Sequence, residues 1–482
     1  MTKPLAAALA AILLSGCATT AATRDGPGDD SGDANAKASS FIDDPYPSTY
    51  QAAASQPVLI SGATVLTGTG ERIDNADVLL RDGRIVAVGQ GLDGAGAIRV
   101  DGSGKWVTPG IIDVHSHLGV YPSPGMRAHS DGNEATAPVT ANVWAEHSVW
   151  PQDPGFDAAR AGGITSLQIL PGSANLVGGR GVTLKNVPAT SYQAMKFPDA
   201  PWGMKMACGE NPKRVYGQKG GPSTRMGNVA GYRAAFIDAA EYIRKKEKES
   251  KNGSDDADSD KDTGGKRDLK LDTLAAAIQG DILVHIHCYR ADEMTTMLDL
   301  ADEFGFKVAA FHHGVEAYKI ADRLAEEGVC GALWADWWGF KMEAFDGIQE
   351  NIALVDRPAG SCAIVHSDSE EGIQRLNQEA AKVMAHARKA GMDITPEHAI
   401  QWLTQNPAKA MGILDQTGTL ETGKMADVVL WNRNPFSSYA QAEQVYVDGV
   451  RVYDRNDPSL QHVSDFMLGQ AGLGQSATGG VR

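Results

Sequence analysis

Positive charge is scarce in this chain: 44 lysines and arginines stand against 60 aspartates and glutamates, a formal net charge of −16. That balance argues against binding nucleic acid or an anionic membrane surface through charge. Long apolar runs are also missing. The run from Leu5 to Leu14 is too short to cross a bilayer as a helix, and no later stretch is long enough. Cysteine is rare, five in 482 residues, and no two form a CxxC pair. This excludes a thiolate metal site of that spacing. Cys208, Cys288, Cys330 and Cys362 sit at or near the ends of apolar runs, so the expectation is buried free thiols rather than disulfides. A phosphate loop is absent as well: the glycine-rich stretch LPGSANLVGGRGVTLKN (residues 170–186) lacks the Gly-Lys-Ser/Thr ending. That stretch reads as a tight loop or as a lid facing substrate.

What the chain does have is 42% apolar residues, enough for a large core, and a length suited to an elaborated α/β barrel. Lys3 is the only charge before the first apolar run, which ends in Leu14-Ser15-Gly16-Cys17. This resembles a bacterial lipoprotein lipobox. The resemblance implies a signal peptide over residues 1–16, lipidation of Cys17, and a protein of the periplasm or cell envelope that meets the membrane only through its lipid. Small, polar and acidic residues follow, and residues 17–55 read as a flexible tether.

Residues 56–108 are short Val- and Ile-rich runs broken by Gly and Asp-Gly turns, and residues 415–456 contain a matching pair, ADVVLW and QVYVDGVRVY. The simplest arrangement is a small β-sandwich built from both ends of the mature chain. Between them, residues 109–414 alternate strand and helix patterns: IIDVHSHL, ITSLQIL, GMKMAC, DILVHIH, FKVAAF, VCGALW and CAIVH, with helical stretches between several. This alternation implies parallel strands joined by crossovers. Seven visible strands and one unlocated strand predict a (β/α)8 TIM-like barrel. Residues 244–270 are almost wholly charged or small and read as a disordered, solvated insertion; residues 457–482 read as a tail.

Of twelve histidines, six stand at three strand ends: His115 and His117, His285 and His287, His312 and His313. In a strand, residues two apart share a face, so each HxH pair offers two imidazoles to one point. Asp368 follows another strand in CAIVHSDS. Imidazole with carboxylate suits a divalent metal such as zinc, and barrel active sites gather at the C-terminal strand ends.

These motifs, with TPGIIDVHSHLG, AGGITSL, HHGVEAYKIADRLAEEG, TQNPAKAMGI and TGTLETGKMADVVLW, resemble the amidohydrolase superfamily, in particular its imidazolonepropionase-like enzymes and metal-dependent prolidases. The resemblance runs from Pro57 to Tyr453. It implies a hydrolase of carbon–nitrogen bonds holding one or two divalent ions, zinc foremost. His115, His117, His287, His313 and Asp368 would be ligands, and Asp368 also the catalytic base that moves the proton of the attacking water. His285 and His312 would then be supporting residues. A bridging ligand in related enzymes is a carboxylated lysine or a glutamate; Lys205 resembles that lysine, with Glu210 and Lys185 as alternatives. Tyr289, Arg290, Trp337 and Lys341 are candidates for substrate contact, Arg290 as the holder of a substrate carboxylate.

Three functions compete. One is a prolidase-like hydrolase of dipeptides or N-acyl amino acids. Another is a cyclic-amide hydrolase of the imidazolonepropionase type. The third is a non-catalytic surface binder that kept the fold, against which the intact ligand set argues. Small amides or dipeptides are the expected partners, nucleic acid is not, and a homo-oligomer is compatible with the sequence.

Overall fold

The computed structural model describes residues 41–123, 125–252 and 267–461. The expected signal peptide (1–16), Cys17, and most of the expected tether (17–55), insertion (244–270) and tail (457–482) lie outside these residues.

Two eight-stranded sheets organise the described chain. The first takes strands from both ends of it: β1 (Val58–Leu66), β2 (Arg72–Arg81), β3 (Arg84–Gly89), β4 (Ile98–Asp101) and β5 (Trp106–Pro109), with β14 (Val428–Trp431), β15 (Ala442–Val447) and β16 (Val450–Asp454). Its order is β16-β15-β14-β5-β1-β2-β3, with β4 also paired to β1. The two ends meet where β14 runs antiparallel to β5, Val428 opposite Pro109 and Trp431 opposite Trp106. Alternating residues of both contributions, including Ile60, Val65, Val78, Val107, Val428 and Leu430, form one apolar cluster. The sheet is continuous through β1, which pairs with β4 through Val58 to Ser61 and with β5 through Thr64 and Val65.

The second sheet is the barrel: β6 (Ile111–Ser116), β7 (Ile164–Ile169), β8 (Val177–Lys185), β9 (Gly203–Ala207), β10 (Leu283–Cys288), β11 (Val308–His313), β12 (Cys330–Leu333) and β13 (Ala363–Val365), paired in that order. Most of its strands are buried throughout, as continuous apolar runs covered on both faces should be. Crossover helices are cut to length by local chemistry. Asp268 caps Leu269–Gln279 by accepting from Lys270 and Leu271 N–H. Gly280 and Gly305, at φ of +83° and +81°, end Leu269–Gln279 and Ala291–Phe304 in the left-handed conformation. The first and last barrel strands are joined by a short latch. Ser367 N–H and Oγ–H both bind the buried Asp113 carboxylate, and Asp368 N–H donates to the His115 carbonyl at 3.1 Å.

Four expectations are corrected. Within the glycine-rich stretch, read as a loop or lid, Val177–Lys185 form the missing barrel strand, β8, which runs antiparallel to β7 and β9. Its glycines permit close approach: Arg180 N–H bonds the Val143 carbonyl at 2.9 Å, and a Cβ on Gly179 (φ +111°) would lie 2.2 Å from that oxygen. Periodicity could not reveal a strand whose pattern is set by backbone contact. Residues 244–252, expected to be disordered, are the last turns of the 28-residue helix Arg225–Asn252. Part of the expected tether is anchored: Phe41 is buried against Tyr242, Asp44 pairs with Lys196 at 2.8 Å, and Tyr50 donates to Asp448. Finally, the four cysteines form two disulfides, Cys208–Cys288 and Cys330–Cys362. Strand register causes this. His287 pairs with Ala207 and Gly331 with Ala363, so each cysteine lies beside its partner, with Cα atoms 5.2 and 4.5 Å apart.

Gly179→Ala is expected to lower the unfolding free energy by about 2–3 kcal/mol, through strain at positive φ and the clash with Val143. Urea denaturation checks this; a change below about 0.5 kcal/mol would contradict the close approach.

Candidate metal centre

Parallel strands bring residues far apart in sequence to one rim. His115 and His117 leave the end of β6, Lys205 projects from β9, His287 from β10, His313 ends β11, and Asp368 follows β13. One Asp368 carboxylate oxygen lies 3.1 Å from His117 Nε2 and 3.3 Å from His115 Nε2. Lys205 Nζ is 3.4 Å from the same His115 nitrogen and donates to the Pro171 carbonyl at 3.0 Å. The other Asp368 oxygen is 3.8 Å from His313 Nδ1. Two ligand groups result that share His115: His115, His117 and Asp368, and His115, His313 and His366. The His287 ring lies 4.6 Å from that of His313, and its Nε2 is 3.3 Å from the Asn211 amide.

The backbone is strained where two of these side chains emerge. His313 and Asp368 adopt φ of +74° and +54°, each costing about 1–3 kcal/mol for a non-glycine residue. Such conformations persist only where surrounding structure imposes them, and here the latch and the neighbouring rings do so.

The electrostatics suit a cation. Burial holds His115, His287, His312 and His313 well below the ordinary imidazole range and draws His285 and His366 down to about 3. At neutral pH they are uncharged, the form in which imidazole ligates. His287 Nδ1, His313 Nδ1 and both nitrogens of His366 are buried without a hydrogen-bond partner. Burial would raise the Asp368 carboxyl, but its hydrogen bond to His117 and the nearby Lys205 amine keep it below its usual range. Burial pulls the Lys205 amine down to about 8. Lone pairs and a carboxylate thus converge with too few protons to satisfy one another, and a divalent ion would satisfy them.

A solved amidohydrolase from Thermotoga maritima MSB8 has the same fold, with a TM-score of 0.75 at 36% identity over 83% of this chain and 100% of that one. The chain belongs to the amidohydrolase family. A profile of the amidohydrolase family matches residues 365–453, the segment from β13 through β16. The chain is 31% identical over 432 residues to amidohydrolase tasK of Hapsidospora irregularis, a match covering 83% of this chain and 43% of that protein. It therefore spans less than half the length of that relative. Against the imidazolonepropionase of Mesorhizobium japonicum it is 24% identical over 385 residues, 75% of this chain and 87% of that protein. The family consists of hydrolases of carbon–nitrogen bonds, and its superfamily binds divalent metals.

Within this amidohydrolase, several sequence candidates lie away from the cluster. Glu210 opens the helix Glu210–Tyr216 and stands 3.5 Å from Lys341, outside both ligand groups. Lys185 ends the antiparallel strand opposite the start of β7, hence at the far rim, where it pairs with Asp427 and Asp448 at 3.3 and 2.9 Å. Arg290, expected to hold a substrate carboxylate, is committed to Asp292 by two hydrogen bonds of 2.9 and 3.1 Å and points outward. Tyr289 is buried, its ring 4.7 Å from that of His287. Trp337 is partly exposed and stacks at 5.4 Å on Trp334, which stacks at 4.2 Å on His313.

Sequence reasoning missed His366, Asn211 and the Asp113–Ser367 latch. His366 was detectable, since it stands two residues before Asp368, the same-face spacing of the HxH pairs. It also did not foresee how the supporting histidines connect. His115 Nδ1 is 2.8 Å from His312 Nδ1, and His312 Nε2 is 2.9 Å from His285 Nδ1. With its Nε2 turned to the cluster, His115 carries its proton on Nδ1 and donates to His312. The proton of His312 is then on Nε2 and is donated to His285. The chain of imidazoles fixes both the ring orientation and the tautomer of His115.

His312→Phe is therefore expected to weaken metal retention about 10–100-fold, while His312→Asn, which keeps an acceptor near the Nδ1 position, retains most of it. Chelator competition with metal analysis measures this, and equal retention in the two variants would refute the assigned role.

Proposed function

We propose that this amidohydrolase cleaves the amide bond of a small substrate, a dipeptide or N-acyl amino acid, in the manner of a prolidase. The observation that carries the reading is the placement of one ionised carboxylate, Asp368, within 3.3 Å of two imidazoles and beside a buried amine, on a strained backbone at the barrel rim. His115, His117, His287, His313 and Asp368 are the proposed ligands of a divalent ion, zinc by the chemistry of the donors. When bound, such an ion polarises a carbonyl oxygen and lowers the pKa of water.

The chain's own groups do the rest. Asp368 takes a proton from the attacking water as its oxygen bonds to the carbonyl carbon. The carbon–nitrogen bond breaks, and Asp368 returns that proton to the leaving nitrogen. His312 and His285 keep His115 oriented. Lys205, whose amine is drawn down to about 8 by burial, would add carbon dioxide through a new N–C bond with loss of one proton, and the carbamate oxygens would serve as further ligands.

A second reading, hydrolysis of a cyclic amide, is supported by the likeness to imidazolonepropionase over most of both chains. We further propose that the chain is lipid-anchored at Cys17 in the cell envelope, on the strength of its lipobox; among the described residues no helix is long and apolar enough to cross a membrane.

The test combines metal analysis with a panel of dipeptides, N-acyl amino acids and cyclic amides. The expected result is metal-dependent release of free amino acids. Asp368→Asn should keep the native circular dichroism and lower kcat about 10²–10⁴-fold. Undiminished turnover in that variant would sink the proposed role of Asp368, and release from cyclic amides alone would favour the second reading.

A further inference from the structure

The segment after β12 carries an unusual load. Trp334 is buried and stacks on His313, Trp337 stacks on Trp334, and Phe340 meets Trp334 edge-on at 5.7 Å. Trp337 and Phe340 are 39% and 57% exposed, so aromatic surface begins at a proposed ligand and runs out to solvent. Apolar area of this kind, left uncovered beside a reaction centre, is suited to covering by a ligand.

Lys341 belongs to the same segment. Its ammonium lies 4.3 Å over the Tyr289 ring and 3.1 Å from the Asn211 side-chain oxygen, and its side chain is only 17% exposed. Both partners also touch a proposed ligand: the Tyr289 ring is 4.7 Å from that of His287, and the Asn211 amide is 3.3 Å from His287 Nε2. Lys341 is therefore one side chain removed from the cluster along two routes. Its ammonium is also paired with the Glu210 carboxylate at 3.5 Å. An ammonium has three donors; Asn211 takes one at 3.1 Å and Glu210 engages a second at longer range, so a substrate carboxylate would take up the third. Burial pulls its pKa down despite Glu210 and Glu343 nearby. Arg290, in contrast, is paired with Asp292 through two hydrogen bonds at the exposed surface. In a chain of net charge −16, an anionic substrate needs such a local cation.

We propose that Lys341 anchors the substrate carboxylate and that Trp334, Trp337 and Phe340 receive the side chain next to it. The substrate class is then N-acylated α-amino acids, dipeptides included, whose carboxyl-terminal residue is large and apolar or aromatic. This rests on the amide-hydrolase reading above and adds the specificity. Cleavage releases the bulky amino acid from the side of the leaving nitrogen.

Binding and turnover separate the two ideas. Calorimetric titration of the metal-loaded full chain would use probes whose acyl amide is reduced to an amine: N-ethyl-L-phenylalanine, its carboxamide, and N-ethylglycine. The free acid is expected to bind about 10–100-fold tighter than the carboxamide, as a charged hydrogen bond allows. Lys341→Met should erase that preference, Lys341→Arg should restore part of it, and Trp337→Ala should reduce the preference for the phenylalanine probe over the glycine probe. If Lys341→Met distinguishes acid from carboxamide as the unaltered chain does, or if the unaltered chain fails to distinguish them, the anchor is refuted. Turnover of N-acetyl-L-phenylalanine is followed in parallel. Intact discrimination with no amide cleaved would refute the hydrolase reading and leave the anchor standing. Cleavage indifferent to Lys341 would do the reverse.

Discussion

The arrangement depends on the junction between the first and last barrel strands. Asp113 is buried beneath His115 and receives both the N–H and the hydroxyl of Ser367, while the next residue, Asp368, gives its N–H to the His115 carbonyl. These contacts do what a full strand ladder does elsewhere in the barrel. They fix the distance between two chain segments more than 250 residues apart in sequence. Asp368 is forced into a left-handed backbone conformation, and its carboxylate is held against two imidazoles. Without that junction the ligand set would be a list of residues and not a centre.

Burial then sets the protonation. Six imidazoles crowd into a dry region where charge is costly, so each is held neutral. The same burial depresses the Lys205 amine, while hydrogen bonding keeps Asp368 ionised against the trend. Groups of one chemical type take different tasks according to what lies behind them. His115 is backed by His312 and His285, whereas both nitrogens of His366 are free to ligate. The disulfides tie neighbouring strands beside this region: Cys288 directly follows His287, and Cys208 is three residues beyond Lys205.

The division between scaffold and loops is the usual one for barrels. The metal-facing groups sit on or just past strands, where neighbours restrict every rotamer. The groups we assign to substrate, Lys341 and its aromatic companions, ride on the segment after β12. That segment combines fully buried residues such as Ala344 with highly exposed ones such as Met342.

The sequence by itself determined the elements with a regular signature. Strands ending in HxH, the Val- and Ile-rich runs at both ends, and the superfamily motifs were readable because alternation and local composition are properties of short segments. Tertiary structure alone decided the rest. Strand register paired the cysteines that sequence spacing left free, and chain direction sent Lys185 to the far rim while leaving Lys205 at the centre. Close backbone approach made a strand of a glycine-rich stretch that looked like a loop. Competition for partners turned Arg290 to Asp292 and set Lys341 among Asn211, Glu210 and the Tyr289 ring. Each of these depends on which surfaces meet across long sequence separations, and residue order carries that information only through the whole fold.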